Sequence, residues 1–189
     1  MKKKSVAVIR CSGSAAIIQS ALEGQSGPDC AAIKTSVKAL SPEGIPRACA
    51  FGCLGGGSCA AACPLKAIKL KEKGPASVDQ EKCVGCGKCV KICPQQLISL
   101  IPPENTIQPF CSGRAPAKET RESCSSGCIG CGICEKACPA GAIRVEDQHA
   151  VIDQERCIAC GMCASKCPRG VIHDANGIFP SDEIRHRIF

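Results

Sequence analysis

Apolar positions in this chain come in short runs broken by glycine, proline and charge, and no run approaches the eighteen or more residues of a membrane span. KAIKL at 66–70, LISLI at 97–101, AIRV at 142–145, AVID at 150–153 and GVIHD at 170–174 are strand-length and bounded by turn residues, which predicts small β-pairs. VAVIR at 6–10 reads as a further strand. Ala15 to Leu22 and Cys30 to Leu40 carry helical patterns that stop at Gly24, Gly27-Pro28 and Ser41-Pro42. CVKICP at 89–94 and CEKACP at 134–139 predict about one helical turn each.

The breaks between the runs hold the chemistry. Three of them are uninterrupted Cys-x2-Cys-x2-Cys-x3-Cys-Pro motifs: Cys83, Cys86, Cys89, Cys93; then Cys128, Cys131, Cys134, Cys138; then Cys157, Cys160, Cys163, Cys167. A fourth, Cys49, Cys53, Cys59, Cys63, ends in the same Cys-Pro with wider spacing ahead of it. This is the bacterial iron–sulfur signature, in which thiolates hold a [4Fe-4S] cube. Glycines such as Gly85, Gly87, Gly130, Gly132 and Gly161 supply the left-handed turns that wrap three cysteines around one face. The fourth cysteine of each motif lies a helical turn further on and serves the neighbouring cluster. Pairing motifs in chain order gives four ligand sets: Cys63 with Cys83, Cys86 and Cys89; Cys49, Cys53 and Cys59 with Cys93; Cys167 with Cys128, Cys131 and Cys134; and Cys138 with Cys157, Cys160 and Cys163. These sets use sixteen of the twenty cysteines.

Structural zinc and disulfides are the competing readings. Zinc sites show separated Cys-x2-Cys pairs, not triplets closing on Cys-Pro. Disulfides suit small secreted domains, and no signal peptide opens the sequence.

Composition agrees with a metal interior. The chain has 189 residues, no tryptophan, no tyrosine and four phenylalanines, so a conventional core would be poor. Inorganic cubes sheathed in Ile, Val and Ala would supply the missing volume, and the apo form is expected to be largely unfolded around the motifs. The lack of aromatics argues against base-stacking nucleic-acid modules. The formal charge of +7 overstates the basicity of the loaded protein. Each set of four thiolates around an oxidised core leaves about −2, bringing the total to roughly −1. Between 60 and 100, Lys66, Lys69, Lys71, Lys73, Lys82, Lys88 and Lys91 face only Glu72, Asp79 and Glu81, a surface able to steer an acidic redox partner. A merely solvated face explains the same count.

An internal repeat organises the whole. Residues 49–63 align without gaps on 124–138, matching Cys49 to Cys124, Cys53 to Cys128, Cys59 to Cys134 and Cys63 to Cys138. Gly56 falls where Cys131 stands, so Cys49 is the nearest replacement ligand and Cys124 becomes redundant. Upstream, Cys11-Ser-Gly follows VAVIR and Cys111-Ser-Gly follows TIQPF. The expected domains are an N-terminal α/β segment over 1–48, a first two-cluster module over 49–101, a linker and repeat segment over 102–123 beginning in the proline-rich IPPENTIQP, and a second module over 124–189. The fold class is α+β: two tandem bacterial-type ferredoxin modules of hairpins and short helices.

Cys11, Cys30, Cys111 and Cys124 are left over. They read first as small buried hydrophobes. One of them replacing Cys49, or several converging on a fifth cluster, are the alternatives. His149, His173 and His186 show no ligand spacing and read as surface or internally satisfied residues. No GxGxxG, P-loop or activated nucleophile is present, so no catalytic site of the chain's own is evident, and a flavin or nicotinamide would sit on another polypeptide.

The order CSG, DCAA, ACAFGCLGGGSCAAACPLKAI, EKCVGCGKCVKICP, then CSSGCIGCGICEKACPAGAI and AVIDQERCIACGMCASKCP resembles the B subunit of the Rnf complex over nearly the whole chain. The GCLGGGSC variant and the repeated CSG are its specific elements. The resemblance implies [4Fe-4S] clusters that accept electrons from reduced ferredoxin and relay them inside an ion-translocating ferredoxin:NAD oxidoreductase. It further implies partner subunits and a place at the cytoplasmic face of the membrane through them. Members of that family start with a hydrophobic anchor and another iron–sulfur segment. Met1-Lys2-Lys3-Lys4 here leads directly into the strand, so the chain reads as the soluble part of a longer protein or as a standalone relative. A soluble polyferredoxin, or the iron–sulfur subunit of a flavin or molybdenum oxidoreductase, is the alternative function. A zinc-stabilised interaction module is the remote one.

Overall fold

The computed structural model describes residues 5–13, 29–39, 49–71, 74–105 and 107–175. The helix expected over Ala15 to Leu22, and His186, lie outside them. Among the described residues, eight strands form four separate two-stranded antiparallel sheets. In the first half, β1 (Val6–Ile9) pairs with β4 (Ile98–Ile101), and β2 (Ile68–Lys69) pairs with β3 (Ser77–Val78). In the second, β5 (Ile107–Pro109) pairs with β8 (Ile172–Asp174), and β6 (Ile143–Glu146) with β7 (His149–Ile152). The five apolar runs predicted as β-pairs therefore all carry strands. Each half repeats one plan, with its leading strand closing on its last and a hairpin between.

That plan revises two expectations about organisation. The strand at 6–9 does not stand apart from the module that follows it, since Val6 pairs with Ile101 and Ile9 with Ile98. The segment expected as linker likewise holds a strand, β5, and a helix, α4 (Ala117–Ser123). Both strands are buried along their length, and burying one Val or Ile side chain stabilises by about 1.5–3 kcal/mol. An apolar run inside a proline-rich stretch thus gains more from a sheet than from solvent.

The remaining helices are short. α2 (Ser58–Ala61), α3 (Lys88–Ile92), α5 (Ile133–Lys136) and α6 (Met162–Lys166) each start one residue before the third cysteine of a motif. A two-residue turn at Asp147 and Gln148, both with positive φ (43° and 67°), closes β6 onto β7 with the twist that tight hairpins favour. α1 (Cys30–Ala39) starts where Asp29 Oδ1 accepts the N–H of Ala32 at 2.8 Å, a side-chain cap on an otherwise unpaired donor. Its Cys30 and Ile33 face inward while Ala31 and Ala32 are exposed.

Two apolar cores result, and both are built around sulfur. Val6, Val8, Ile9, Leu97, Ile98 and Ile101 enclose Cys59, Cys83 and Cys89 in the first half. Ile107, Ile143, Val171 and Ile172 enclose Cys134, Cys163 and Cys167 in the second.

Candidate metal centres

Every cysteine loop follows one backbone recipe. The residue just before each short helix is a left-handed glycine: Gly57 at φ 76°, Gly87 at 74°, Gly132 at 71° and Gly161 at 76°. Two residues earlier φ is again positive, at Gly55, Gly85, Gly130 and Ala159. This double left-handed turn folds the loop back so that its cysteines face a common centre. The third cysteine of each motif, Cys59, Cys89, Cys134 or Cys163, is buried by the helix it opens. Cys86, Cys131 and Cys160, the middle members, reach the surface.

The Cys-Pro ends share a second recipe. After each proline the next residue but one has positive φ, at Lys66, Gln96, Gly141 and Gly170. Its N–H returns to the carbonyl of the cysteine, at 3.1 Å for Lys66 to Cys63 and 3.2 Å for Gly141 to Cys138. The turn aims the fourth sulfur away from its own loop. It also presents backbone donors to that sulfur, since Ala67 N–H lies 3.3 Å from Cys63 Sγ and Ala142 N–H 3.3 Å from Cys138 Sγ. Ala7 N–H lies 3.3 Å from Cys83 Sγ, so β1 also contributes a donor to a thiol.

These turns bring the thiols together in fours. Cys63, Cys83, Cys86 and Cys89 line one small hollow. Cys128, Cys131, Cys134 and Cys167 line a second. Cys138, Cys157, Cys160 and Cys163 line a third. The first motif behaves differently. Cys59 is near enough to Cys53, Cys30 and Cys93 to feel their charge, and Cys30 N–H donates to Ser58 Oγ at 2.7 Å. Cys49, expected with Cys53, Cys59 and Cys93, lies instead with Cys11, Cys111 and Cys124 along a cavity of about 530 Å³. α1 thus sets Cys30 beside Cys59, a nearness that no local spacing reveals.

Burial pushes the Cys59 and Cys163 thiols up to about 12 and Cys134 to about 11, with neighbouring cysteine charge adding to the effect. Such thiols make poor free nucleophiles. They suit a cationic core that removes the proton on binding. All twenty cysteines are free of disulfides. Among the described residues no three Cys, His, Asp or Glu side chains are grouped to hold a single metal ion, and a cube spreads its four thiolates over four irons. Hollows lined by four sulfurs, with N–H donors aimed at them, fit a [4Fe-4S] group. The two described histidines do not line these hollows: His149 is buried with Nδ1 3.2 Å from the carbonyl of Asp147, and His173 stacks on Phe110.

Comparison with known proteins agrees with this geometry. Family models described as "4Fe-4S dicluster domain" match residues 50–100, 82–143 and 127–171. The chain belongs to the 4Fe-4S dicluster ferredoxins. Its dicluster domains stand in tandem, and it carries several [4Fe-4S] clusters. It is 43% identical over 149 residues to the B subunit of the proton-translocating ferredoxin:NAD(+) oxidoreductase complex of Clostridium ljungdahlii, a match that covers 79% of this chain. To the B subunit of the Na(+)-translocating complex of Acetobacterium woodii it is 38% identical over 153 residues, or 81% of the chain. It is thus a relative of the Rnf B subunit. The matches cover 50% and 44% of those proteins, so the chain spans about half the length of the curated relatives it matches. No described helix is long and apolar enough to cross a membrane.

Proposed function

We propose that this dicluster ferredoxin relays single electrons as part of an Rnf-type ferredoxin:NAD oxidoreductase, at the cytoplasmic face of the membrane and in contact with other subunits. The observation that carries the reading is the set of three four-thiol hollows, each built from three cysteines of one motif and the fourth of its partner. With a cube in each, and another at the first motif, the chain holds a row of one-electron centres. When bound, each cube takes up or gives up one electron without bond rearrangement. The chain's own work is to hold the cubes apart from bulk water, to aim N–H donors at sulfur and so set their potentials, and to leave an edge open for exchange. That edge is present at Cys86, Cys131 and Cys160, which are exposed.

Ferredoxin, or a similar acidic carrier, is the proposed electron donor. Around the Cys86 hollow, Leu65, Val84 and Leu100 are exposed apolar residues, and Lys66, Lys82, Lys88 and Lys91 are exposed beside them in the chain. An apolar centre with a basic rim matches a small acidic protein and would steer it by charge.

Anaerobic purification tests the reading. The protein should be brown, with iron and acid-labile sulfide in equal amount, at least about sixteen of each for four cubes, and should bleach on mixing with reduced ferredoxin. Folded, colourless protein that binds zinc would refute it. Brown protein that ferredoxin leaves oxidised, but that a soluble flavin or molybdenum subunit reduces, would move it to the alternative complex.

A further inference from the structure

The cavity lined by Cys11, Cys49, Cys111 and Cys124 lies between the two halves and draws two thiols from each. Sequence alignment makes these the same two positions in both copies: Cys11 corresponds to Cys111 and Cys49 to Cys124. Their surroundings repeat as well. Cys111 Sγ accepts the N–H of Gly113 at 3.3 Å and that of Cys128 at 3.4 Å. Cys11 faces the N–H groups of Gly13 and Cys53, the equivalent residues. The turns under the second pair match too, with Gly52 N–H near the carbonyl of Cys49 and Gly127 N–H near that of Cys124. A short strap braces each: Gln95 donates to the carbonyls of Ala50 and Gly52, and Arg169 to those of Cys124 and Gly127.

A four-thiol arrangement with approximate twofold symmetry and N–H donors on its sulfurs is more than a buried apolar filler requires. Two further donors point the same way. Arg10 Nε and Ser112 Oγ, both on residues lining the cavity, are buried without a hydrogen-bond partner. Orphaned buried donors carry a desolvation cost unless a ligand meets them. A dianionic cube offers sulfur acceptors and a charge that Arg10 would partly balance.

We propose that Cys11, Cys49, Cys111 and Cys124 hold a fifth [4Fe-4S] cluster at the junction of the two halves, and that Cys30, not Cys49, completes the set with Cys53, Cys59 and Cys93. The inference rests on the reading of this chain as a carrier of cubes, and it assigns every one of the twenty cysteines to a set of four. Its place in the relay follows from covalent geometry. Cys49 and Cys53 are four positions apart, as are Cys124 and Cys128, so each pair of Cα atoms lies within about 14 Å. Cys53 and Cys128 also donate their N–H groups to Cys11 and Cys111. The fifth centre is therefore a bridge between one cluster of each half, and electrons crossing from half to half pass through it one at a time.

Iron and sulfide counting on the full chain, purified anaerobically without reconstitution, decides the matter. About twenty of each per chain is expected for five cubes. About sixteen would overturn the fifth site while leaving the four-cluster reading intact, and an iron-free folded protein would overturn both. The double variant Cys111→Ala, Cys124→Ala should fall by about four irons and lose one component of the reduced protein's paramagnetic resonance spectrum. A count unchanged from wild type would overturn the site. Cys111→Ser, which keeps an oxygen ligand, guards against misfolding of the double variant. It should retain the other clusters and alter one signal, and a spectrum identical to wild type would overturn the assignment. Cys30→Ala should perturb a different component from the one that Cys111→Ser alters. If Cys30→Ala left the spectrum unchanged, its place with Cys53, Cys59 and Cys93 would be refuted.

Discussion

The two halves of the chain wrap cysteine loops with the same backbone but do not supply the same thiols. In the second half the loop from Cys128 to Cys134 contains Cys131, and the segment leading to it is short. In the first half Gly56 stands at that position, and the segment between Cys11 and Cys49 is much longer. Yet Gly55 and Gly57 adopt φ 73° and 76°, close to 61° and 71° at Gly130 and Gly132. Loop conformation and ligand identity are therefore separable. The glycines hold the shape, and α1 sets Cys30 beside Ser58 and Cys59. Lys34 Nζ donates to the carbonyl of Pro94 at 2.6 Å and pins the same helix near Cys93. On the proposed assignment, the thiol missing from the loop is replaced in space, not in sequence.

The sharpest test of what each half demands of its backbone lies at Gly85. A Cβ there would sit 2.2 Å from the carbonyl oxygen of Ser5 and 2.8 Å from its carbonyl carbon, at φ 69°. Backbone atoms cannot rotate away, so Gly85→Ala combines a left-handed penalty of about 1 kcal/mol or more with overpacking of about 1–3 kcal/mol. Gly55→Ala meets the same φ penalty with nothing within 4 Å of its Cβ, and should cost about 1 kcal/mol. Thermal or denaturant unfolding of the holo protein, held anaerobic, should show the first variant clearly weaker than the second. Equal losses would mean that the approach of Ser5 to the loop is not a constraint.

Surface charge gives the next largest contrast. Lys82, Lys88 and Lys91 are exposed, although Lys82 already meets Asp79 at 3.2 Å. Replacing all three by Glu should slow reduction by an acidic ferredoxin about tenfold at low salt and flatten its salt dependence, as loss of electrostatic steering requires. Reversing the exposed Lys136 and Lys166 of the second half should change the rate far less. Stopped-flow traces across a salt series would read both, and comparable slowing would remove the first half as the docking face.

How much of this was legible in the sequence depends on range. The motif loops, their one-turn helices and the crossing of the fourth cysteine are local rules, and spacing alone reaches them. The hairpin of β6 and β7 joins strands two residues apart and is local too. By contrast, β1 pairs with β4 across some ninety residues, and nothing in VAVI names its partner. The nearness of Cys30 to Cys59 is hidden for the same reason, and the proposed exchange of roles between Cys30 and Cys49 rests on it. A signal was nevertheless present. Cys11 matches Cys111 and Cys49 matches Cys124 in the alignment of the two copies, and two repeated positions suggest one shared site more readily than four unrelated fillers.

Ala159 offers the finest discrimination between the halves. It occupies the position of Gly85 in the corresponding loop, with φ 53° against 69°. The first half must have glycine there because Ser5 leaves no room for a methyl group. The second half carries the methyl group, so its loop bears only the intrinsic cost of a left-handed alanine, about 1 kcal/mol. Ala159→Gly removes that cost but loosens the unfolded chain by about 0.4–1 kcal/mol, and the two nearly cancel. Stability should therefore move by less than about 0.5 kcal/mol, with iron content unchanged. The reciprocal change at Gly85 moves far more. The asymmetry between reciprocal substitutions at equivalent positions isolates the Ser5 contact from the loop's own conformational preference. A strong stabilisation by Ala159→Gly would show instead that the second half stores strain the first has avoided.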